Sequence, residues 1–340
     1  MLEIIKKGAP QFKANLHSHS VLSDGKLTPE EMKLAYKAHG YSVLAITDHE
    51  YPYDHTAMSE ADFLMLTGYE AYIRPREDGK YDALAPEIHI NLFARDPHNT
   101  AYVCYNDHYC RYIKDPAIKE GFYKVGSQRN REYTPEYINE FIRTAKENGY
   151  ICTYNHPYWS MEDWELIDKY EGYFSMEMCN YGCHVKSGLE YNGQLYEWLL
   201  RRGKRIFCHS TDDNHNGVPL DDPLSSSFGG FTMILAPELT YDAVFHALET
   251  GNFYSSMGPK IHELYIDGDR VHIETDPVKR ITLHNGSKQY PAVVGTEDAP
   301  ITQADFILKG NEPFIRLTAT DFAGNSADTR GIFRDELPQI

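Results

Sequence analysis

The first structured stretch, residues 12–16, is a short extended run that delivers Asn15-Leu16-His17-Ser18-His19, and this kind of ending recurs along the chain. Residues 42–47 lead to Asp48-His49, residues 63–68 to Tyr69-Glu70, residues 150–154 to Asn155-His156-Pro157, and residues 206–208 into a segment reaching Asp212-Asp213-Asn214-His215. Apolar runs of this length read as strands. His17 and His19, two apart on such a strand, present both imidazoles to the same side. A chain that repeatedly brings imidazole and carboxylate groups to strand ends is constrained to a parallel α/β arrangement, in which strand C-termini converge on one face.

Helix signals fall between these strands. Thr28-Pro29-Glu30-Glu31 has an N-cap, a proline at the first helical position and a glutamate three residues after the cap, so a helix is predicted from there to Gly40. Thr134-Pro135-Glu136 starts another, stopped by Gly149, and further helices are predicted over 192–202 and 241–250. Residues 87–93 alternate, with Ile88, Ile90 and Leu92 on one face and His89 on the other. Residues 71–86 read as an exposed loop, and 95–131 as a partly helical lid on the substrate side.

After Gly258-Pro259 the pattern changes to short alternating segments separated by turn pairs such as Asp267-Gly268 and Asn285-Gly286. A first domain over 1–259 and a small all-β, sandwich-like domain over 260–340 are therefore expected. The net charge of −17 argues against broad affinity for nucleic acid, while leaving room for a small phosphorylated substrate held through metal ions. No apolar stretch is long enough to span a bilayer, nor is there a signal-peptide pattern, so an unexported, cytoplasmic protein without a membrane partner is expected. The six scattered cysteines read as reduced thiols. The 26 tyrosines read as packing and surface residues, with a phenol-lined pocket as the sharper alternative.

Collected, the strand ends offer six imidazoles and three carboxylates: His17, His19, His49, His89, His156, His215, Asp24, Glu70 and Asp213. Such a set suits zinc, manganese or iron, and it exceeds what one ion needs, so two to three divalent ions are expected. Isolated histidines such as His39, His55, His246, His262, His272 and His284 read instead as packing or surface residues. Asp48 reads as a residue that positions its neighbour.

These motifs resemble the polymerase and histidinol phosphatase (PHP) family of metal-dependent phosphoesterases. The matching pieces are His-x-His at His17 and His19, Ser-Asp-Gly at Asp24, Thr-Asp-His at His49, Gly-x-Glu at Glu70, His89, Asn-His-Pro at His156, and Asp-x-His at Asp213 and His215. The resemblance implies a distorted (β/α)7 barrel. It also implies one metal held by His17, His19, Glu70 and Asp213, a second between Asp24, His49 and His215, and a third among Glu70, His89 and His156. The tandem Asp212-Asp213 leaves two choices, with Asp213 preferred for the Asp-x-His spacing and Asp212 assigned to support. The segment Gly251 to Pro259, with the β module behind it, further resembles the subgroup related to the carbohydrate-ester-hydrolysis protein CehA.

The chemistry expected is attack of a metal hydroxide on the phosphomonoester of a small metabolite, a nucleotide or sugar phosphate, at a di- or trinuclear centre. His17, His19, Glu70, Asp213 and His215 would form the catalytic group. Arg74, Arg129 and Arg131 are candidate phosphate clamps, and His184 a candidate proton donor at the mouth; each reads alternatively as an ordinary loop or surface residue. Two other functions stay open: a phosphodiesterase or exonuclease on short oligonucleotides, and a non-catalytic homologue binding carbohydrate or protein. The sequence leaves the oligomeric state open.

Overall fold

The structure is a computed structural model, which describes residues 1–76 and 80–338. The helix Pro29–Ala38 forms where the capping box predicts it: the Thr28 hydroxyl accepts from the Glu31 amide, and the Glu31 carboxylate accepts from the Thr28 amide. This helix connects the strands Phe12–Asn15 and Val43–Ala45, which pair in parallel, and Val43–Ala45 pairs in parallel with Leu64–Leu66. The helix Pro135–Glu147, capped by Thr134, buries Ile138, Phe141, Ile142 and Ala145 and precedes the strand Tyr150–Tyr154.

Two large sheets carry the residues singled out in the sequence. One has five strands, in the order Phe207–Thr211, Ser175–Asn180, Tyr150–Tyr154, Ile88–Ala94 and Gly68–Ile73. The other has ten and contains Phe12–Asn15, Val43–Ala45 and Leu64–Leu66. Single bridges, Ser18 to Asn214 and His49 to Glu70, stitch the two together where the functional residues lie. Among the described residues the strands do not close into one hydrogen-bonded barrel. The five-stranded sheet ends at Phe207–Thr211 and Gly68–Ile73, and neither edge strand joins the ten-stranded sheet; Ile88–Ala94 runs antiparallel to both of its neighbours.

The strand expected over 63–68 is in fact two, and Glu70 sits within the second rather than after the first. Gly68 makes this possible, because a Cβ there would lie 2.5 Å from the Leu92 carbonyl oxygen of the neighbouring strand. The expected loop 71–86 accordingly starts as strand to Ile73; its residues 77–79 lie outside the described residues. The expected lid is partly ordered by a short parallel pair, Tyr102–Val103 with Lys124–Val125, and by the helix Pro116–Gly121 capped by Asp115.

The C-terminal part is all β among the described residues. A four-stranded antiparallel sheet holds Ile261–Asp267, Arg270–Val278 and Ile301–Ile307, together with Leu2–Ile5 from the other end of the chain. The remaining strands, Arg280–His284, Ala292–Val294, Phe314–Thr320, Ser326–Asp328 and Ile332–Phe333, extend the ten-stranded sheet by pairing Ser326–Asp328 with Phe253–Ser256. Ile261, Leu264, Ile273 and Leu317 share one apolar core with Met32, Tyr36 and Tyr41. The core thus runs continuously from the β strands into the helix-bearing part. All six cysteines are free. Among the described residues no helix is long and apolar enough to cross a membrane.

Candidate metal centre

The strand Phe12–Asn15 ends by pointing His17 and His19 inward, both fully buried. Their Nε2 atoms lie 3.2 Å apart. Glu70 Oε1 is 3.1 Å from His17 Nε2, and Asp213 Oδ1 is 2.9 Å from His19 Nε2 and 3.3 Å from His17 Nε2. Around this nucleus Glu70 also meets His49 Nδ1 at 2.9 Å, His89 Nδ1 at 3.1 Å and His156 Nε2 at 3.4 Å. Asp24 meets His215 Nε2 at 3.3 Å and His49 Nε2 at 3.9 Å. All nine residues singled out in the sequence therefore converge on one site.

The outward nitrogens of the histidines are tied down, which aims the inward ones. His17 Nδ1 meets Glu177 Oε1 at 2.8 Å, His89 Nε2 meets Glu87 Oε1 at 3.2 Å, and His156 Nδ1 meets the Ser160 hydroxyl at 3.3 Å. His215 Nδ1 meets the backbone carbonyl of Asp213 at 3.0 Å. With the outer nitrogen donating, the inner one carries its lone pair toward the centre, the tautomer a metal requires. Asp48 supports the site from a distance in sequence, not by positioning its neighbour: it accepts from the Ser20 and Ser23 amides and hydroxyls and fixes the turn that carries Asp24.

The two adjacent aspartates have different environments. Asp212 is fully buried and accepts from the amides of Phe228, Gly229 and Gly230 and from the Tyr36 hydroxyl. Asp213, in the left-handed region at φ 47°, turns its carboxylate into the histidine cluster. His156 is likewise held at φ 27°. Non-glycine residues with such backbones at a site of converging polar groups mark strain kept in place by its surroundings.

Whether these residues fit metal ions can be judged from their own bonding. Among the described residues Glu70 Oε2, Asp213 Oδ1 and His49 Nδ1 are buried without a hydrogen-bond partner. His49 Nδ1 and Glu70 Oε2 are within 2.9 Å of each other, yet are not aligned as donor and acceptor. Buried polar groups left in this state are costly unless a third body satisfies them. Within this centre three sets of described residues have ligand atoms close enough to share an ion: His19, Asp24, His49 and His215; His17, His19 and Glu70; and His49, Glu70 and His89. These sets depart from the implied grouping: His19 reaches the Asp24 set, His49 joins Glu70 and His89, and Asp213 and His156 fall outside all three.

The electrostatics agree with a cation site. Burial pushes the Glu70 carboxyl up, but His17, His89 and His49 outweigh it and hold it well below the usual range. Asp213 is depressed in the same way, burial being outweighed by His17 and His19. Burial lowers His17, yet Asp213, Glu70 and Glu177 together raise it well above its ordinary value. His19 is pushed down to about 3 by burial and by His215 and His49. Carboxylates that stay ionised, beside a neutral His19 and a His17 that holds a proton a cation would displace, make a donor set of the mixed nitrogen and oxygen kind.

The four candidate substrate contacts are placed less favourably. Arg131 is buried, with Nη2 2.9 Å from Glu50 Oε2 and Nη1 2.7 Å from the Tyr72 carbonyl, so its charge is spent inside the fold and not offered to a phosphate. Arg129 lies on the surface, paired with Glu132 and Glu140. Arg74 is largely buried, ion-paired with Glu87 and stacked 4.2 Å from the Tyr72 ring, and it acts on His89 through Glu87. His184 sits half-buried on the helix Tyr181–Ser187, lowered by burial. Sequence reasoning missed Glu177 and Tyr112. Glu177 had one signal, a charge inside the apolar run 174–178; Tyr112, whose hydroxyl is 3.0 Å from Asp24 Oδ2, had none.

The PHP domain matches residues 15–207, more than half of the chain. The chain belongs to the PHP domain family. The match opens at Asn15 and stops short of Asp213 and His215, which the fold returns to the same PHP centre. A search of curated proteins finds no match. Among solved structures, one similar chain is a two-domain protein from Bacteroides vulgatus described as containing a predicted PHP-like metal-dependent phosphoesterase. It is 14% identical, with 96% of this chain and 98% of that one covered, at a TM-score of 0.46. Another is an amidohydrolase from Chromobacterium violaceum solved with sulfate and no metal, 18% identical over 59% of this chain and 87% of that one, at 0.38. Both scores lie below one-half, and neither likeness defines a function for this PHP chain.

Proposed function

We propose that the chain is a metal-dependent phosphoesterase that hydrolyses a phosphomonoester of a small metabolite, with two to three zinc, manganese or iron ions held by His17, His19, Asp24, His49, Glu70, His89, His156, Asp213 and His215. One observation carries the reading: the buried Nε2 atoms of His17 and His19 face each other at 3.2 Å with Glu70 and Asp213 beside them, and Glu70 Oε2 and Asp213 Oδ1 are buried there without a hydrogen-bond partner among the described residues, an arrangement suited to shared cations. Divalent ions bound there supply Lewis acidity toward phosphoryl oxygens and make a water acidic enough to act near neutral pH.

The protein's own part is orientation and access. Glu70 touches both halves of the cluster and sets their separation. Glu177 and Glu87 hold His17 and His89 in the productive tautomer. His17, His19 and Glu70 are shut off from solvent, whereas Asp24 and His215 have side chains 30% and 38% exposed. A phosphate ester therefore approaches over Asp24 and His215, where Tyr112 is also partly exposed and can give a proton to the departing oxygen. A distorted (β/α)7 barrel that its hydrogen bonds leave open and the CehA-like subgroup belong to this same reading, supported by the strand-end motifs and by the segment Gly251 to Pro259, as does a cytoplasmic site of action.

Hydrolysis of p-nitrophenyl phosphate and bis(p-nitrophenyl) phosphate by the metal-loaded chain tests it. Turnover of the monoester, lost in Asp213→Ala, supports the proposal; turnover of the diester alone replaces it with a phosphodiesterase, and turnover of neither removes it.

A further inference from the structure

A second feature lies beside the metal centre and is not used by it. A groove of about 1660 Å³ runs from Trp159 to the sheet face formed by Arg280–His284 and Phe314–Thr320. Its volume exceeds the roughly 300–1,000 Å³ of sites for single small molecules, so it has room for a ligand of several rings. One wall is aromatic and unusually open to solvent: Tyr158, Trp159 and Trp164 are 53%, 37% and 39% exposed, and Tyr290 across the groove is 44% exposed. The wall is built, not loose. Both carboxylate oxygens of the buried Glu190 accept from the amides of Tyr158 and Trp159, at 3.0 and 2.7 Å.

The floor is polar and nearly sealed. Arg316 and Glu197 are 3% and 6% exposed, bonded to each other at 2.9 Å, and Arg316 also meets Asp328 at 3.2 Å. Glu197 Oε1 has no hydrogen-bond partner among the described residues, which leaves a buried acceptor at the groove. His284 stands 4.0 Å from Glu197 and donates to or accepts from the Thr318 hydroxyl at 3.0 Å.

We propose that this groove binds a neutral carbohydrate chain, with sugar rings stacked on Trp159, Trp164 and Tyr290 and their hydroxyls read by Glu197, Arg316 and His284. A hydroxyl both donates and accepts, and the floor offers an open carboxylate oxygen beside a guanidinium and an imidazole. Exposed rings give flat apolar faces suited to the C–H faces of sugars. Arg316 is already matched by Glu197 and Asp328, so the guanidiniums that a polyanion could use are those of Arg201 and Arg280 at the groove's exposed margin. Trp159 is a wall shared with the metal centre, its ring 4.7 Å from that of His156 and 5.1 Å from that of His89, while none of the nine candidate ligands lines the groove. The binding does not rest on the phosphoesterase reading.

The three tryptophans, Trp159, Trp164 and Trp198, all lie at the groove or packed against it, with Trp198 5.8 Å from Trp164. Intrinsic fluorescence of the intact chain therefore reports occupancy, and calorimetry gives affinities. Short unbranched neutral oligosaccharides of glucose, galactose and mannose are the probes, with oligothymidylate as the polyanion. The expected result is saturable binding of at least one sugar series with a change in emission, weakened about tenfold in Trp164→Ala and in Tyr290→Ala. Absence of saturable sugar binding, affinity untouched by both substitutions, or oligothymidylate binding in place of the sugars overturns the proposal. Sugar binding by a chain that hydrolyses no phosphate ester overturns the phosphoesterase reading and leaves this one standing.

Discussion

Glu177 Oε1 lies 2.8 Å from Nδ1 of His17, and through that contact a residue on the strand Ser175–Asn180 decides which nitrogen of a residue near the N-terminus faces the metal centre. The same carboxylate accepts from the His156 amide at 2.6 Å and from the Thr211 hydroxyl at 2.6 Å, so it ties three strand ends together.

Glu177→Gln is expected to weaken metal binding by about 10–100-fold, because an amide has one accepting oxygen where the carboxylate uses two for His17, the His156 amide, Asn180 and Thr211, and its contact with His17 is no longer charged. Chelator competition with zinc or manganese reads this directly. An unchanged affinity would mean that Glu177 serves only the packing of the sheet.

Asp212→Asn and Asp213→Asn should separate two roles at neighbouring positions. Asp213→Asn removes a ligand and abolishes metal uptake with the fold retained. Asp212→Asn disturbs a carboxylate bonded to three backbone amides and a tyrosine, so it costs about 2–3 kcal/mol of stability in urea denaturation while metal binding persists. The opposite pattern would exchange the two roles.

Arg131→Met leaves the Glu50 carboxylate buried without its partner, a change that costs about 3–5 kcal/mol. Denaturation should show this loss, and surviving folded protein should keep its KM for a phosphate ester. A raised KM with unchanged stability would restore Arg131 as a phosphate contact.

Glu162 gives a pH signature outside the metal centre. Burial pushes its carboxyl up to about 7, against the hydroxyls of Tyr133, Tyr154 and Tyr170 and the more distant charge of His89, which favour the ionised form. The folded state then holds a proton that the unfolded state has released above its ordinary value near 4.5. Its contribution is complete below about pH 4.5 and is lost as pH rises through 7, a change of about 3 kcal/mol. Glu162→Gln should flatten the fall in stability between pH 5 and 8; an unaltered slope would assign that fall to other groups.

Much of the site was legible because it depends on periodicity and on caps. The spacing of His17 and His19, the Thr28 and Thr134 helix starts, and the strands delivering His49 and His156 all follow from short-range rules, and the structure has them. What escaped depends on contacts between distant segments. Glu177 is 160 residues from His17, and Tyr112 is 88 from Asp24. Glu70 was found although its strand was misjudged, because the break at Thr67 and the antiparallel pairing with Ile88–Ala94 are set by Gly68 against Leu92. Arg131 was read as a free loop cation because nothing in the sequence marks Glu50 as its buried partner.

Metal content per chain, measured by elemental analysis on gently purified protein beside His17→Ala and His156→Ala, tests the central claim most directly. Two to three equivalents of zinc, manganese or iron, reduced in both variants, is the result predicted for this donor set. No bound metal, and none taken up when it is added, would contradict it.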